Sequence, residues 1–486
     1  MRISMFTLVI LVFFAETTYT QDLNKKISSE ELLVDFKYLK SNLIKLHAGL
    51  YNYHSEQDFE EIFKQYQNKI KDSMSPMEFY RKVGTLVEVI GDAHTEIEPP
   101  ETFYDALNQE WMVLPVSVVW LNNQLYTIRD FNRDTEIVPG DQILSINGIE
   151  SGQLFKNLRR YVPRDGRNTT SPNHTLSGLF GQFRNYYAAI YGQPDSYVVE
   201  VQDRAGKTRK HSVEGLKYRT IFDTYDAEKS TVKKAEKPKP LAFRIRDSIG
   251  ILRVSSFHPG KIKDSGQNFK RIFKNCFVQI KKYNVNRLII DIRGNGGGHE
   301  VVFTELFSYL AKKPFRAYKQ LHTITNKVPN PEYYLEQEEI EELENWATKN
   351  LQAQQDLFLV TDEIGVKQLR PKKPNFNGKV LVLIDGKTSS AAGDFSGLIR
   401  SYGEVMFMGE ETGGNPYINT AGTRLTLVLP NSGLQIIIPT LLYTINIEGE
   451  NPGYGMRPEI EVELGIDDFL GKEDVMMQKA LSLMKE

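Results

Sequence analysis

RLIIDIRGNGGG, residues 287–298, reads as a strand that runs straight into a cluster of glycines, with a helical pattern starting near Glu300. The same grammar recurs on both sides of it. IGILRVSSF (249–257) leads into a helical stretch at about 267–283. KVLVLI (379–384) is followed by the serine cluster DGKTSSAAG (385–393), a helix over about 391–400, and a further strand in EVMFMGEE (404–411). Strands alternating with helices predict a largely parallel sheet covered by helices, and residues 241–486 are assigned to this α/β unit.

Upstream the texture changes. Over about 113–213, short β runs are separated by turns: LPVSVVWL (114–121), QLYTIRDF (124–131), DQILSING (141–148) and YVVEVQD (197–203). In VPGDQILSING (138–148), Pro-Gly-Asp makes a turn, Ile143 and Ile146 bracket a short strand, and Asn147-Gly148 is a hairpin signal. This stretch resembles a PDZ domain, which takes extended peptide ends by β-augmentation; a generic hairpin is the plainer alternative. Residues 101–216 are assigned to it. Residues 21–100 form a helical module: SSEELLVDFKYLKSNLIKLH (28–47) sets Leu32, Phe36, Leu39, Leu43 and Leu46 on one face, with Ser29 as N-cap. Further helices are expected over 57–73 and from Ser75-Pro76 to about Ile90. The lysine-rich stretch 217–240 reads as a solvated linker or surface loop, and the acidic stretch 329–350 as an inserted, exposed helix pair. There is no internal repeat.

Bulk properties narrow the class. The chain has 486 residues, 40% of them hydrophobic, enough for more than one core. A formal net charge of −2 gives no electrostatic case for nucleic acid or an anionic membrane. Residues 1–20 read as a signal peptide: a positive start, the apolar run FTLVILVFFA (6–15), then small and polar residues before Gln21. The run is shorter than the roughly 20 residues of a membrane span, so no stable span is expected after processing, and a secreted or periplasmic location follows. The single cysteine, Cys276, sits on an apolar helical face and reads as a buried thiol, so no internal disulfide is available.

Three segments have chemical potential. In DGKTSSAAG, Ser390 falls at a helix N-terminus, where unpaired N–H groups favour developing negative charge; simple N-capping by Ser389 or Ser390 is the bland reading. There is no GxSxG, so an α/β-hydrolase elbow is not an option. In DIRGNGGG (291–298) the glycines bare N–H groups to an incoming oxygen; a phosphate loop would need a GK[ST] ending that is missing. In GDAHT (91–95), His94 is of the type that accepts a serine proton near neutral pH, although a lone His is commonly a surface or core residue. No HExxH or cysteine cluster supports a metal, and no cofactor motif is present.

In their order along the chain these segments resemble the carboxy-terminal processing (tail-specific) and tricorn core protease family of serine peptidases. GDAHT is similar to its Asp-Gly-His-Thr type motif. VPGDQILSING stands in the PDZ position, and DIRGNGGG resembles the family's strand and glycine loop. TSSAAGDF (388–395) resembles its nucleophile segment, and GMRPEIEV (455–462) its closing motif. The resemblance implies a multidomain α/β protein: a crotonase-like α/β catalytic core, an inserted PDZ-like β domain and an N-terminal helical module. It implies Ser390 as nucleophile and the N–H groups of Ala391 and Gly298 as oxyanion donors, with Gly297 the nearest competitor.

One departure matters. The tail-processing branch uses a Ser–Lys dyad, but here the segment reads GEETGGNPY (409–417), with Asn415 at the lysine's position. The chain is therefore more similar to the tricorn-type branch, which implies His94 as base and an orienting Glu before GMRPE. Glu448 is the choice, over Glu450; Asp92 is nearer in sequence but reads as a turn or cap residue. His299, His47 and His54 receive no role; His299 either lines the site or caps the helix that follows. The function implied is an exported, metal-independent serine peptidase acting on peptides or unfolded proteins. The alternative is a non-catalytic ligand- or peptide-binding protein on the same scaffold. An esterase would use the same serine. No oligomeric state is assigned.

Overall fold

The computed structural model describes residues 22–132, 136–231, 238–401, 403 and 405–486; the signal peptide expected over 1–20 lies outside the described residues. A six-stranded sheet carries the serine and glycine segments. Its order is Leu241–Arg246, Ile249–Val254, Arg287–Asp291, Lys379–Ile384, Val405–Gly409 and Ile460–Glu461; the first pair is antiparallel and the rest parallel. The inner strands Ile249–Val254, Arg287–Asp291 and Lys379–Ile384 are buried on both faces, which explains why they show no polar alternation, whereas the edge strand Leu241–Arg246 does alternate. Leu288, Ile290, Val380 and Val382 pack with Phe273, Phe277, Phe303 and Phe395 of three helices, while Ile289, Leu381 and Leu383 pack with Met476, Met477 and Leu481. Burying each such Leu or Ile contributes roughly 1.5–3 kcal/mol. Cys276 lies in the first of these cores, and burial pushes its thiol up, as an inert thiol requires.

A second sheet is built on the hairpin Ile418–Val428 and Gln435–Ile445, which no local signal announced. The strand Gln435–Ile445 also pairs with Glu96–Glu98 and with Tyr318–Thr323. Glu96–Glu98 begins two residues after His94, so this pairing stitches the end of the N-terminal helical segment into the half that carries the serine and glycine clusters. A third, antiparallel sheet runs Val116–Leu121, Gln124–Asp130, Gln142–Ile146, Ser196–Gln202 and Thr208–Glu214.

Several local expectations are corrected. The first helix, Ser29–Leu46, is capped by Ser28, whose hydroxyl accepts the Glu31 N–H while the Glu31 carboxylate returns to the Ser28 N–H. The second ends early, at Glu56–Gln67, because Met74 leaves to pair with Ile27. The third breaks at Gly84 into Pro76–Val83 and Leu86–Ile90. Helices Ser151–Arg159, Thr170–Leu176 and Phe183–Tyr191 lie inside the region read as β runs. The stretch read as a linker contains the helix Tyr218–Thr231, anchored by buried Ile221 and by Phe222 stacked on Phe180. The acidic stretch folds as the short turn Pro331–Tyr333 and one helix, Gln337–Asn350, with Ile340 and Ala347 buried. Among the described residues no helix is long and apolar enough to cross a membrane.

Candidate active site

Ser390 sits where the strand Lys379–Ile384 hands over to the helix Ala391–Arg400. Its backbone, at φ 52° and ψ −131°, is in a region that favours glycine. Its side chain makes no capping bond, so simple N-capping does not describe it. The strain is held from both sides. Ser389 N–H donates to Asn295 O at 3.1 Å, Gly414 N–H to Thr388 O at 3.0 Å, and Thr388 Oγ1 to Ile292 O at 3.2 Å. A Cβ on Gly297 would stand 2.8 Å from Ser390 Cβ and 3.0 Å from Ala391 N; one on Gly414 would stand 2.9 Å from Ser390 N. The glycines let two loops close on the half-buried serine, and an over-determined turn keeps an unfavourable conformation.

The glycine loop is anchored in turn by charge and amide groups. Buried Asp291 accepts Arg253 and Arg293, and Arg293 continues to Asp474. Asn295 donates to Val254 O and accepts the Gly297 N–H at 2.9 Å. Gly297 N–H is thereby occupied. Gly298 is paired to Phe257 through its neighbours' groups, Phe257 N–H to Gly297 O and His299 N–H to Phe257 O, which leaves its own N–H out of that ladder. Ala391 is the first residue of its helix, where the N–H has no intrahelical acceptor.

His94 and Ser390 line one cavity of about 580 Å³. Among the described residues no hydrogen bond joins their side chains. The His94 main-chain N–H donates to Asp92 Oδ1, and its Nδ1 is buried without a partner. Burial, opposed by the charge of Asp92 and reinforced by that of Arg424, lowers its basicity below the ordinary imidazole value, so the ring is neutral at pH 7. The remaining cavity wall includes Tyr80, Phe103, Tyr104 and Tyr186, together with Glu96 and Glu98. Burial and the charge of Glu96 raise Glu98 to about 8, and Tyr104 Oη donates to it.

Glu448 is not brought to His94. It is exposed in the loop after Gln435–Ile445 and takes no part in the cavity wall, and Glu450 is exposed as well. The loop turns outward because Lys319 Nζ holds Ile447 O, Asn446 Nδ2 holds Arg316 O, and Gly449 bends at φ 101°. The acid next to His94 is Asp92, whose oxygens are committed: one to the His94 N–H and Thr420 Oγ1, the other to Thr95 Oγ1 and to His47 Nε2 at 2.7 Å. His47, given no role from sequence, is thus the buried support of the loop; its Nδ1 accepts Gly49 N–H, so Nε2 carries the proton toward Asp92. His299 caps its helix, accepting Val301 N–H. Asn415 is a buried node with no free capacity: its N–H donates to Asp165 Oδ2, its Nδ2 to Tyr53 Oη and Asn451 Oδ1, and its Oδ1 accepts Tyr417 N–H. Asp165, also missed, announced itself by no local signal. No His, Cys, Asp and Glu cluster among the described residues is arranged to hold a metal ion.

A parallel sheet ending in a strained serine and a neutral histidine that share one cavity fits the hydrolase class, and comparison with known proteins gives the class its family. Residues 248–462 match the model of peptidase family S41, the family that the motifs resemble. No curated protein matches the chain. Among solved structures, mature CPAF is similar at 14% identity and a TM-score of 0.59, covering 94% of this chain and 97% of its own. A mutant of the same protein is similar at 13% identity and a TM-score of 0.61, covering 94% and 98%. A putative peptidase from Parabacteroides merdae ATCC 43184 matches at 14% identity and a TM-score of 0.46, covering 95% and 98%. At such identities the likeness to CPAF and its mutant is one of fold.

Proposed function

We propose that this protein is an exported serine peptidase of the tricorn-type branch, with Ser390 as nucleophile and His94 as base. The observation that carries the reading is the backbone of Ser390, held at positive φ with its hydroxyl uncommitted to capping and facing the same cavity as a neutral His94. His94 takes the proton as Ser390 Oγ attacks the peptide carbonyl. The oxyanion rests on the N–H groups of Ala391 and Gly298, the His94 proton passes to the leaving amine, and water releases the acyl group. The Ser390–His94 hydrogen bond forms with substrate in place. Asp92 acts through the main chain of the loop, with His47 behind it. No metal takes part. The aromatic wall suits a peptide with a large apolar side chain beside the scissile bond. The core, residues 241–486, is crotonase-like. Residues 101–216 are the PDZ-like domain that takes a peptide end, and residues 1–20 are the export signal.

The test is labelling of the purified mature protein with a fluorophosphonate probe, beside Ser390→Ala and His94→Ala. Labelling of the wild type that Ser390→Ala abolishes and His94→Ala strongly slows, with circular dichroism unchanged, supports the reading. A folded wild type that takes no label, with or without added peptides, moves the assignment to a binding protein on the same scaffold.

A further inference from the structure

A second cavity, of about 600 Å³, shares no wall residue with the one that holds Ser390. Five cationic side chains line it: Lys156, Arg159, Arg160, Arg164 and Arg167. One carboxylate faces them, that of Glu88, and both its oxygens are taken, by Arg160 Nε at 2.9 Å and by Arg164 Nη2. Arg159 spends Nη1 on Asn173 Oδ1. The Nε atoms of Arg159 and Arg164 are buried with no hydrogen-bond partner among the described residues.

Buried guanidinium N–H groups without acceptors are costly, and like charges brought together add to the cost. An arginine cluster with open donor edges is the arrangement that takes oxyanions, since the guanidinium fork matches a carboxylate or phosphate two oxygens at a time. The volume far exceeds one small ion, and Val89, Tyr53 and Pro452 supply apolar wall beside the charges. We propose that this cavity binds a ligand bearing two or more oxyanion groups, carboxylate or phosphate. The occupant lies behind the catalytic loop: Gly91, first residue of GDAHT, is in the cavity wall, its carbonyl accepting the N–H of Gly166, and the Arg167 N–H holds Gly453 O at 2.7 Å.

The full chain is titrated calorimetrically at low salt with tripolyphosphate and, separately, with a hexaglutamate peptide. The expected result is one-to-one binding of at least one probe, weakened by added salt. Binding of tripolyphosphate alone assigns a free phosphate-type ligand; binding of the peptide assigns peptide carboxylates. The double variant Lys156→Gln/Arg167→Gln, whose removed charges hold no side-chain hydrogen bond among the described residues, is expected to bind about tenfold or more weakly with an unchanged Tm; Arg159→Gln is expected to weaken binding as well, with a lower Tm because its bond to Asn173 is lost. Failure of both probes to bind the folded wild type overturns the proposal. So does binding that neither variant weakens.

Discussion

Asp165 Oδ1 accepts the main-chain N–H of Ala93, the residue before His94, at 3.0 Å. Its other oxygen accepts the N–H of Asn415 at 3.0 Å, 250 residues away in sequence. One buried carboxyl therefore joins the loop of the histidine to the segment that backs the serine. An amide in its place keeps one acceptor and turns an NH2 toward the other N–H. Asp165→Asn is expected to lower stability by about 1–3 kcal/mol in urea denaturation and to slow fluorophosphonate labelling of Ser390. Unchanged labelling would show that the clamp does not position His94.

The strain at Ser390 separates function from stability. Glycine adopts φ 52°, ψ −131° without the side-chain penalty, whereas alanine keeps it. Ser390→Gly is expected to gain about 1–2 kcal/mol in unfolding free energy over Ser390→Ala, with both variants unlabelled. Equal stabilities would remove the strain from the account.

Two glycines of one loop make a controlled pair. A methyl group on Gly297 meets Ser390 Cβ, Ser389 O and Ala391 N at 2.8–3.0 Å, while one on Gly294 meets nothing within 4 Å. Both have positive φ. Gly294→Ala is expected to cost about 1 kcal/mol with labelling retained. Gly297→Ala is expected to cost more and to abolish labelling by displacing the serine. A labelled Gly297→Ala protein would contradict the packing argument.

With His94 as the proposed base, its low basicity is expected to set the acid limb of activity. Its ring stays neutral as pH falls below the ordinary value of 6.5, because burial disfavours the charged form. The labelling rate is expected to hold its plateau below pH 6.5 and to fall at a lower pH. A midpoint at or above 6.5 would assign the limb to another group. The same shift means that His94 contributes stability above pH 6.5 that is lost as pH falls toward its folded value.

Three buried carboxyls act with the opposite sign. Burial raises Asp165 and Asp394 to about 7, and burial with the charge of Glu96 raises Glu98 to about 8. Between their ordinary values of 3.8 and 4.5 and these raised values, the folded state holds more protons than the unfolded chain. Their contribution to stability is greatest at low pH, falls as pH rises, and levels out above about pH 8. Tm is expected to decline from pH 6 to 8, and Glu98→Gln to flatten the last part of that decline. A decline of equal size in Glu98→Gln would exclude Glu98 as its source.

What the sequence determined by itself is what neighbouring residues decide together. Ser28, Ser55 and Ser75 each start a helix with an acid three residues on, and the reciprocal bond needs only that spacing, although the expected cap of the first helix, Ser29, was one residue late. The strands 287–291 and 379–384 are legible because both their faces are buried, and the loops after them because glycine and serine clusters end such runs. The helix Tyr218–Thr231 was hidden because its apolar face is completed by Phe180, an aromatic from another element. Only the tertiary structure put His94 and Ser390 in the wall of one cavity, gave His47 and Asp92 their mutual bond, made Asn415 a node, and turned Glu448 away. Those outcomes depend on strand pairing such as Glu96 with Ile437 and on contacts across hundreds of residues. Local periodicity carries no information about them, because a side chain's partner is set by where the chain returns.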